Sequence, residues 1–372
     1  MNSSSLFPIL PQRPTGIARM AAEARHAEDG HLIEFKTLEV RSILNKSVSK
    51  RQLWMAYSIN PYRGCEFGCR YCYARYTHEF MAPKAPASAG GDPVGATPAT
   101  AVVPASAAAI DLRDPESFER LIFLKQNAAW LLEQELRRID PALEIALGTA
   151  TDPYQPIERR ARITRSLLEV FSRKTGYRLG IVTKSRLIER DVDLLAEISK
   201  RNTLVVHITI TTPDANLARL LEPRAPRPDL RFQAVKRLRE AGIRTGILCS
   251  PLLPGITDSE EALDEMARRA AEAGASFFAA SPLFLKPCSR PTYLSFVREH
   301  FPALQQDYAK RFGNADFAAP AYRQQMAAMV DRACRKYGLG RRSKDALLPR
   351  TGVVERRPLA GEGAMAQQKL FV

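Results

Sequence analysis

Cys65, Cys69 and Cys72 stand in the string Arg63-Gly64-Cys65-Glu66-Phe67-Gly68-Cys69-Arg70-Tyr71-Cys72-Tyr73, a CxxxCxxC spacing with an aromatic residue just before the last thiol. Three soft sulfur ligands on one short loop suit iron–sulfur or zinc chemistry. A ferredoxin-type cluster takes four thiolates, and a structural zinc site takes four protein ligands. Three thiolates on a cubane leave one iron open to a small molecule, which turns an electron carrier into a catalyst. Zinc is the competing reading, because His78 would complete a Cys3His site. Its spacing from Cys72 is not a usual finger spacing, and no second CxxC or HxxxH pair accompanies it. The iron–sulfur reading is the stronger.

The elements that must position this loop alternate along the chain. Residues 1–50 read as an extended or partly helical lead-in, and Leu53–Ile59 as a strand running straight into the cysteines. A helix is expected from Cys69 to Phe80. Residues 81–112, rich in Ala, Pro, Gly and Ser, bury too little apolar surface to order themselves and read as a flexible insert. Strands are then expected at Glu144–Thr149, Arg178–Thr183, Leu204–Thr211, Ile243–Ser250 and Phe277–Phe284, separated by helical stripes such as Ile163, Leu167, Val170 and Phe171. Asp258 or Ser259 caps the helix that reaches Ala273. Residues 51–285 thus form one α/β core of six β/α units, with a parallel sheet and right-handed crossovers. Residues 286–340 read as a C-terminal helical region able to close the open side of the core. Residues 341–372 read as a disordered basic tail.

At the cysteine string the chain resembles the radical S-adenosylmethionine (radical SAM) superfamily, over roughly Leu53 to Leu285. The resemblance implies a partial (β/α)6 barrel, open on one side, carrying a [4Fe-4S] cluster on Cys65, Cys69 and Cys72. It also implies that S-adenosylmethionine chelates the open iron, and that one electron cleaves the sulfonium to give a 5′-deoxyadenosyl radical. The hard chemistry belongs to the cofactors, and the protein supplies placement. A reductant such as flavodoxin or ferredoxin is implied as a partner.

In parallel barrels the active site lies at the C-terminal ends of the strands, which selects the remaining candidates. Along Val206–Thr212, Val206, Ile208 and Ile210 share one face and His207, Thr209 and Thr211 the other. The resemblance makes Thr209 and Thr211 ribose contacts. Thr149, Thr151 and Asp152 fall where the family holds the SAM amino group, with Tyr154 in the same turn. Lys184 suits the SAM carboxylate or a substrate phosphate, and Arg224 a bidentate clamp on either. As surface ion-pairing residues, both would be ordinary.

Gly148-Thr-Ala-Thr-Asp-Pro-Tyr, Val182-Thr183-Lys184 and Leu221-Glu222-Pro223-Arg224 are similar to the branch labelled DNA repair photolyase, whose best understood relative is spore photoproduct lyase. That lyase uses a cysteine near the position of Gly148 as a hydrogen donor, and this chain has none there. Cys249 and Cys288 are the substitutes to weigh, although a free cysteine in an apolar strand is more often a small buried hydrophobe.

The net charge of +15, from 55 Lys and Arg against 40 Asp and Glu, favours polyanions. It also fits a merely Arg-rich composition. The terminal string Gln367-Gln368-Lys369-Leu370-Phe371 looks like the peptide that docks bacterial repair proteins on the DNA sliding clamp. No run approaches the ~20 apolar residues of a membrane span, no secretory signal is evident, and cytoplasm is expected. The leading expectation is a radical SAM enzyme on DNA or other nucleic acid. The alternatives are such an enzyme on RNA, peptide or a small metabolite, and a non-enzymatic, metal-stabilised nucleic-acid-binding protein.

Overall fold

The computed structural model describes residues 33–46, 55–79 and 111–341. Eleven strands occur among them: β1 (Glu34–Thr37), β2 (Leu44–Lys46), β3 (Tyr57–Ile59), β4 (Tyr62–Arg63), β5 (Leu121–Leu124), β6 (Glu144–Leu147), β7 (Arg178–Thr183), β8 (Thr203–Thr209), β9 (Thr245–Leu252), β10 (Phe277–Pro282) and β11 (Gly340–Arg341). The main sheet runs in the order β11-β10-β9-β8-β7-β6-β3-β2, and a small sheet runs β1-β5-β4. From β3 to β11 every neighbouring pair is parallel, while β2 joins β3 antiparallel. The six expected strands, β3 and β6 to β10, stand in chain order. This is the α/β partial barrel with a C-terminal helical extension that the alternation implies.

Apolar periodicity decides which face each crossover helix buries. On helix Ile163–Ser172, Leu167, Leu168, Val170 and Phe171 are buried, and on Val192–Arg201 Leu195 and Ile198 are. Helix Glu260–Glu272 starts at Ser259, whose side chain accepts from Ala262 N at 3.1 Å, so Ser259 is the cap. Asp258 instead accepts from Gly255 N at 2.7 Å.

Past β10 come helices Arg290–His300, Gln305–Phe312 and Pro320–Lys336. Tyr293, Phe296, Val297, Tyr308 and Phe312 from the first two bury together with Phe67 and Tyr71 of the cysteine loop and with Leu253, Leu283 and Leu285 beyond the last strands. Each such side chain contributes about 1.5–3 kcal/mol when fully buried. The extension therefore forms an apolar wall joining the loop after the first barrel strand to the loop after the sixth.

Four expectations change. Strands β1 and β2 lie inside the segment read as a lead-in. The expected helix over Cys69–Phe80 shrinks to a 3-10 turn at Tyr73–Arg75 and a short helix at Tyr76–Glu79, with Arg70 N bonded to Leu221 O and Cys72 N to Cys69 O ahead of them. Residues 111–112, assigned to the insert, are described, while its remainder is not. Arg341, assigned to the disordered tail, pairs with Phe278 in β11. Gly340 permits that approach, since a Cβ there would stand 2.6 Å from Ser276 O. Most of the lead-in, the rest of the tail and the Gln367–Phe371 peptide lie outside the described residues. Among the described residues no helix is long and apolar enough to cross a membrane.

Candidate active site

The cysteine loop is held from several sides by bonds that its own sequence could not reveal. Cys65 N donates to Phe118 O at 2.9 Å, and Arg70 N to Leu221 O at 2.9 Å. Thr151 Oγ1 donates to Gly64 O at 2.5 Å, and Glu66 N to Gln155 Oε1 at 2.8 Å. Ser289 Oγ, from beyond β10, donates to Cys72 O at 2.6 Å. Arg75, buried and paired with Glu119 at 2.8 Å, donates to Cys69 O at 3.2 Å. At Gly68 the φ is +61°, a conformation that favours glycine, and a Cβ there would displace the guanidinium of Arg224.

A cavity opens over the strand ends. Its lining includes Cys65, Cys69 and Cys72 with Thr149, Thr151, Asp152, Lys184 and Thr209. These eight sequence candidates are brought together. Burial raises all three thiols, Cys69 to about 12, so without metal they are neutral. A bound cation inverts that preference and holds thiolates. Three soft donors and an ammonium lining one cavity fit a cluster with an open position and a carboxylate-bearing ligand. Among the described residues no group of three or more His, Cys, Asp or Glu would hold a single metal ion. His78, the fourth ligand of the zinc alternative, is buried with Nε2 2.9 Å from Leu121 O and its ring edge-on to Phe118. It does not line the cavity.

Two of the lining candidates spend their polar atoms on the scaffold. Asp152 accepts from Thr183 Oγ1 at 2.6 Å, Lys184 N at 2.7 Å and Tyr154 N at 2.9 Å. Thr151 binds Gly64 as described. Lys184 Nζ lies 3.8 Å from Glu222 and 5.7 Å above the Tyr71 ring. Burial alone would lower the Lys184 pKa, but Glu222 and Cys69 outweigh it and the net shift is upward.

The other five candidates do not line the cavity. Thr211 Oγ1 lies 2.9 Å from Tyr71 OH and 3.0 Å from Glu222. Arg224 braces the loop by donating to Glu66 O and lying 3.8 Å from Glu119. Tyr154 is fully buried in the neighbourhood of Asp191 and Glu158. Cys249 is 1% exposed, with its thiol 3.6 Å from Thr211 O and its pKa pushed up to about 12 by burial. Cys288 is half-buried beside Ser289 and is likewise not a lining residue.

The sequence reading missed the charged network beneath the cavity. Glu222 receives Tyr71 OH and Thr211 Oγ1 and pairs with Arg231 at 2.5 Å. Burial would raise the Glu222 carboxyl, yet Arg231 and Lys184 hold it below its usual range. The string Glu222-Pro223-Arg224 suggests the guanidinium as the working group, whereas the carboxylate reaches the cavity's lysine. Arg231 is the fourth residue of helix Pro228–Glu240 and gives no signal in the sequence.

The profile of the radical SAM superfamily matches residues 59–267. An uncharacterised protein of Mycobacterium tuberculosis is 30% identical over 308 residues, covering 82% of each chain. Another, of Methanocaldococcus jannaschii, is 27% identical over 209 residues, covering 56% of this chain and 65% of that one. Among solved structures, a mutant of spore photoproduct lyase superposes with a TM-score of 0.54 at 16% identity, covering 82% of this chain and 79% of that one. A second mutant, with bound AdoMet and dinucleoside spore photoproduct, gives 0.53 at 15% identity with the same coverage.

Proposed function

The chain belongs to the radical SAM superfamily, and from that premise we propose that it acts on nucleic acid, as a DNA repair photolyase-like enzyme distinct from genuine spore photoproduct lyase. Its cofactors are those of the family, a [4Fe-4S] cluster and S-adenosylmethionine. When bound, they supply the one-electron cleavage of the sulfonium, with a flavodoxin- or ferredoxin-type reductant as the electron source. In this reading Cys65, Cys69 and Cys72 hold the cluster, and Lys184 takes the SAM carboxylate. Thr149 lies on the side of the SAM amino group and Thr209 on the side of the ribose. Thr151, Asp152, Thr211 and Arg224 fix the loop and the strand ends rather than touch the ligand.

The observation that carries the substrate class is the net charge of +15 on a fold shared with an enzyme of DNA lesions. A chain this basic concentrates polyanions. A base inside a duplex would have to be flipped out to reach the cavity, because hydrogen abstraction demands near contact. Gly148 supports the restriction. Its φ is +90°, and a Cβ there would stand 2.6 Å from Val182 O, so a donor cysteine has no room. Cys249 and Cys288, outside the cavity lining, do not replace it. The non-enzymatic alternative gains nothing from a cavity of this composition.

The test is anaerobic reconstitution with iron and sulfide, then dithionite and SAM, with 5′-deoxyadenosine followed by mass spectrometry. Addition of ultraviolet-irradiated DNA is expected to raise its yield. Stimulation by RNA, peptide or a metabolite extract with none by DNA would move the enzyme to that substrate. A reducing cytoplasm suits the cluster and the six free cysteines. The terminal Gln367–Phe371 peptide would dock the enzyme on the sliding clamp, and clamp capture unchanged by deleting the last six residues would remove that partner.

A further inference from the structure

The small sheet carries a cationic face that the cofactor site does not use. In the antiparallel β4–β5 ribbon Arg63 lies opposite Phe123, and Lys125 N extends the ladder by donating to Pro61 O at 3.2 Å. Side chains two apart on a strand share a face. Arg63, Phe123 and Lys125 therefore stand on one face, with the two cations as diagonal neighbours across the ribbon. Parallel pairing puts Lys36 of β1 opposite Phe123 on that same face. The His78 ring packs against Phe123 at 5.8 Å.

Lys36 is exposed and pairs with Glu34 at 3.6 Å. Lys125 is different, being 5% exposed. Among the described residues no carboxylate lies in ion-pair range of either Lys125 or Arg63. Burying an ammonium beside a like charge, without a counterion, is costly. Burial and then Arg63 lower the Lys125 pKa to about 8.

We propose that Arg63 and Lys125 form a binding site for a phosphate-class oxyanion, placed on the ribbon that leads directly into the cysteine loop. A phosphate would supply the counter-charge that no described residue gives this face, with Arg63 offering a planar fork and Lys125 a point charge. Its source is either a phosphodiester of a nucleic acid strand or a free phosphate group. The site stands independently of the substrate reading above.

The test uses the full-length reconstituted enzyme, wild type and Lys125→Met, with the visible cluster absorbance confirming equal loading. A labelled single-stranded oligonucleotide is titrated by fluorescence anisotropy from 50 to 200 mM KCl, and thermal unfolding is followed with and without inorganic phosphate. The expected result is oligonucleotide binding weakened several-fold in Lys125→Met, with the log–log salt slope reduced by about 0.7, as for one lost phosphate contact on a single strand. Phosphate that raises the wild-type Tm but not the variant's, without oligonucleotide binding, would keep the site and assign it to free phosphate. Wild type and variant responding alike to both probes, or neither probe binding the wild type, would overturn the proposal.

Discussion

Arg231 Nη2 lies 2.5 Å from the Glu222 carboxylate, and both side chains are 1% exposed. The pair stands directly under the cysteine loop, because Glu222 also receives the hydroxyl of Tyr71, the residue before Cys72. A charge buried at this depth is stable only while its partner is present. Glu222→Gln leaves Arg231 and Lys184 uncompensated and is expected to cost about 3–5 kcal/mol. Denaturant unfolding within ~1 kcal/mol of wild type would show the network to be more solvated than its burial implies.

Gly148→Cys restores the donor residue of spore photoproduct lyase on paper, and the fold forbids it. Beyond the positive φ, the new Cβ would meet Val182 O and Pro153 Cδ at 2.6 and 2.5 Å. The variant is expected to lose more than ~1 kcal/mol and to gain no repair of spore photoproduct. A stable Gly148→Cys enzyme that repairs the dinucleotide would reverse this conclusion.

The five cysteines singled out as candidates divide by position. Cys65→Ala, Cys69→Ala or Cys72→Ala should each abolish brown colour after reconstitution and 5′-deoxyadenosine formation. Cys249→Ala and Cys288→Ala should retain both, since neither thiol lines the cavity. Loss of SAM cleavage with a fully loaded cluster in Cys288→Ala would require that thiol to move into the site.

Lys125 makes a pH prediction with a definite sign. Its folded pKa, about 8, lies below the ordinary lysine value of 10.5, so between these values the unfolded chain binds more protons. Its contribution is therefore present above about pH 10.5 and lost as pH falls to about 8. At pH 7 in phosphate-free buffer, with Arg63, Lys36 and His78 on the same face, the ammonium is a net cost. Lys125→Met is expected to stabilise the protein there by up to ~3 kcal/mol, with the advantage shrinking as pH rises. Equal unfolding free energies for the two proteins at pH 7 and pH 10 would refute the depressed pKa.

Much of this protein is local in origin. The CxxxCxxC spacing, the strand–helix alternation and the stripes on helices such as Ile163–Ser172 are short-range patterns, each set by period and residue type. They suffice for the six strands, the cysteine triad, and the placing of Thr149, Lys184 and Thr209 at strand ends. What they cannot reach are contacts between residues distant in sequence. Tyr71 and Glu222 are 151 positions apart, and Cys72 and Ser289 are 217 apart. Arg231 and Gln155 have no motif, and their roles arise because the barrel brings their segments beneath one loop. The same holds in reverse for Thr211, Arg224 and Cys249. Residue type and register made them candidates, but a strand's side chains at different depths do not all meet the cavity, and buried carboxylates and carbonyls claimed their polar atoms first. Spacing determined which chemistry the chain can host. Closure of the barrel decided which side chains face it and which hold them in place.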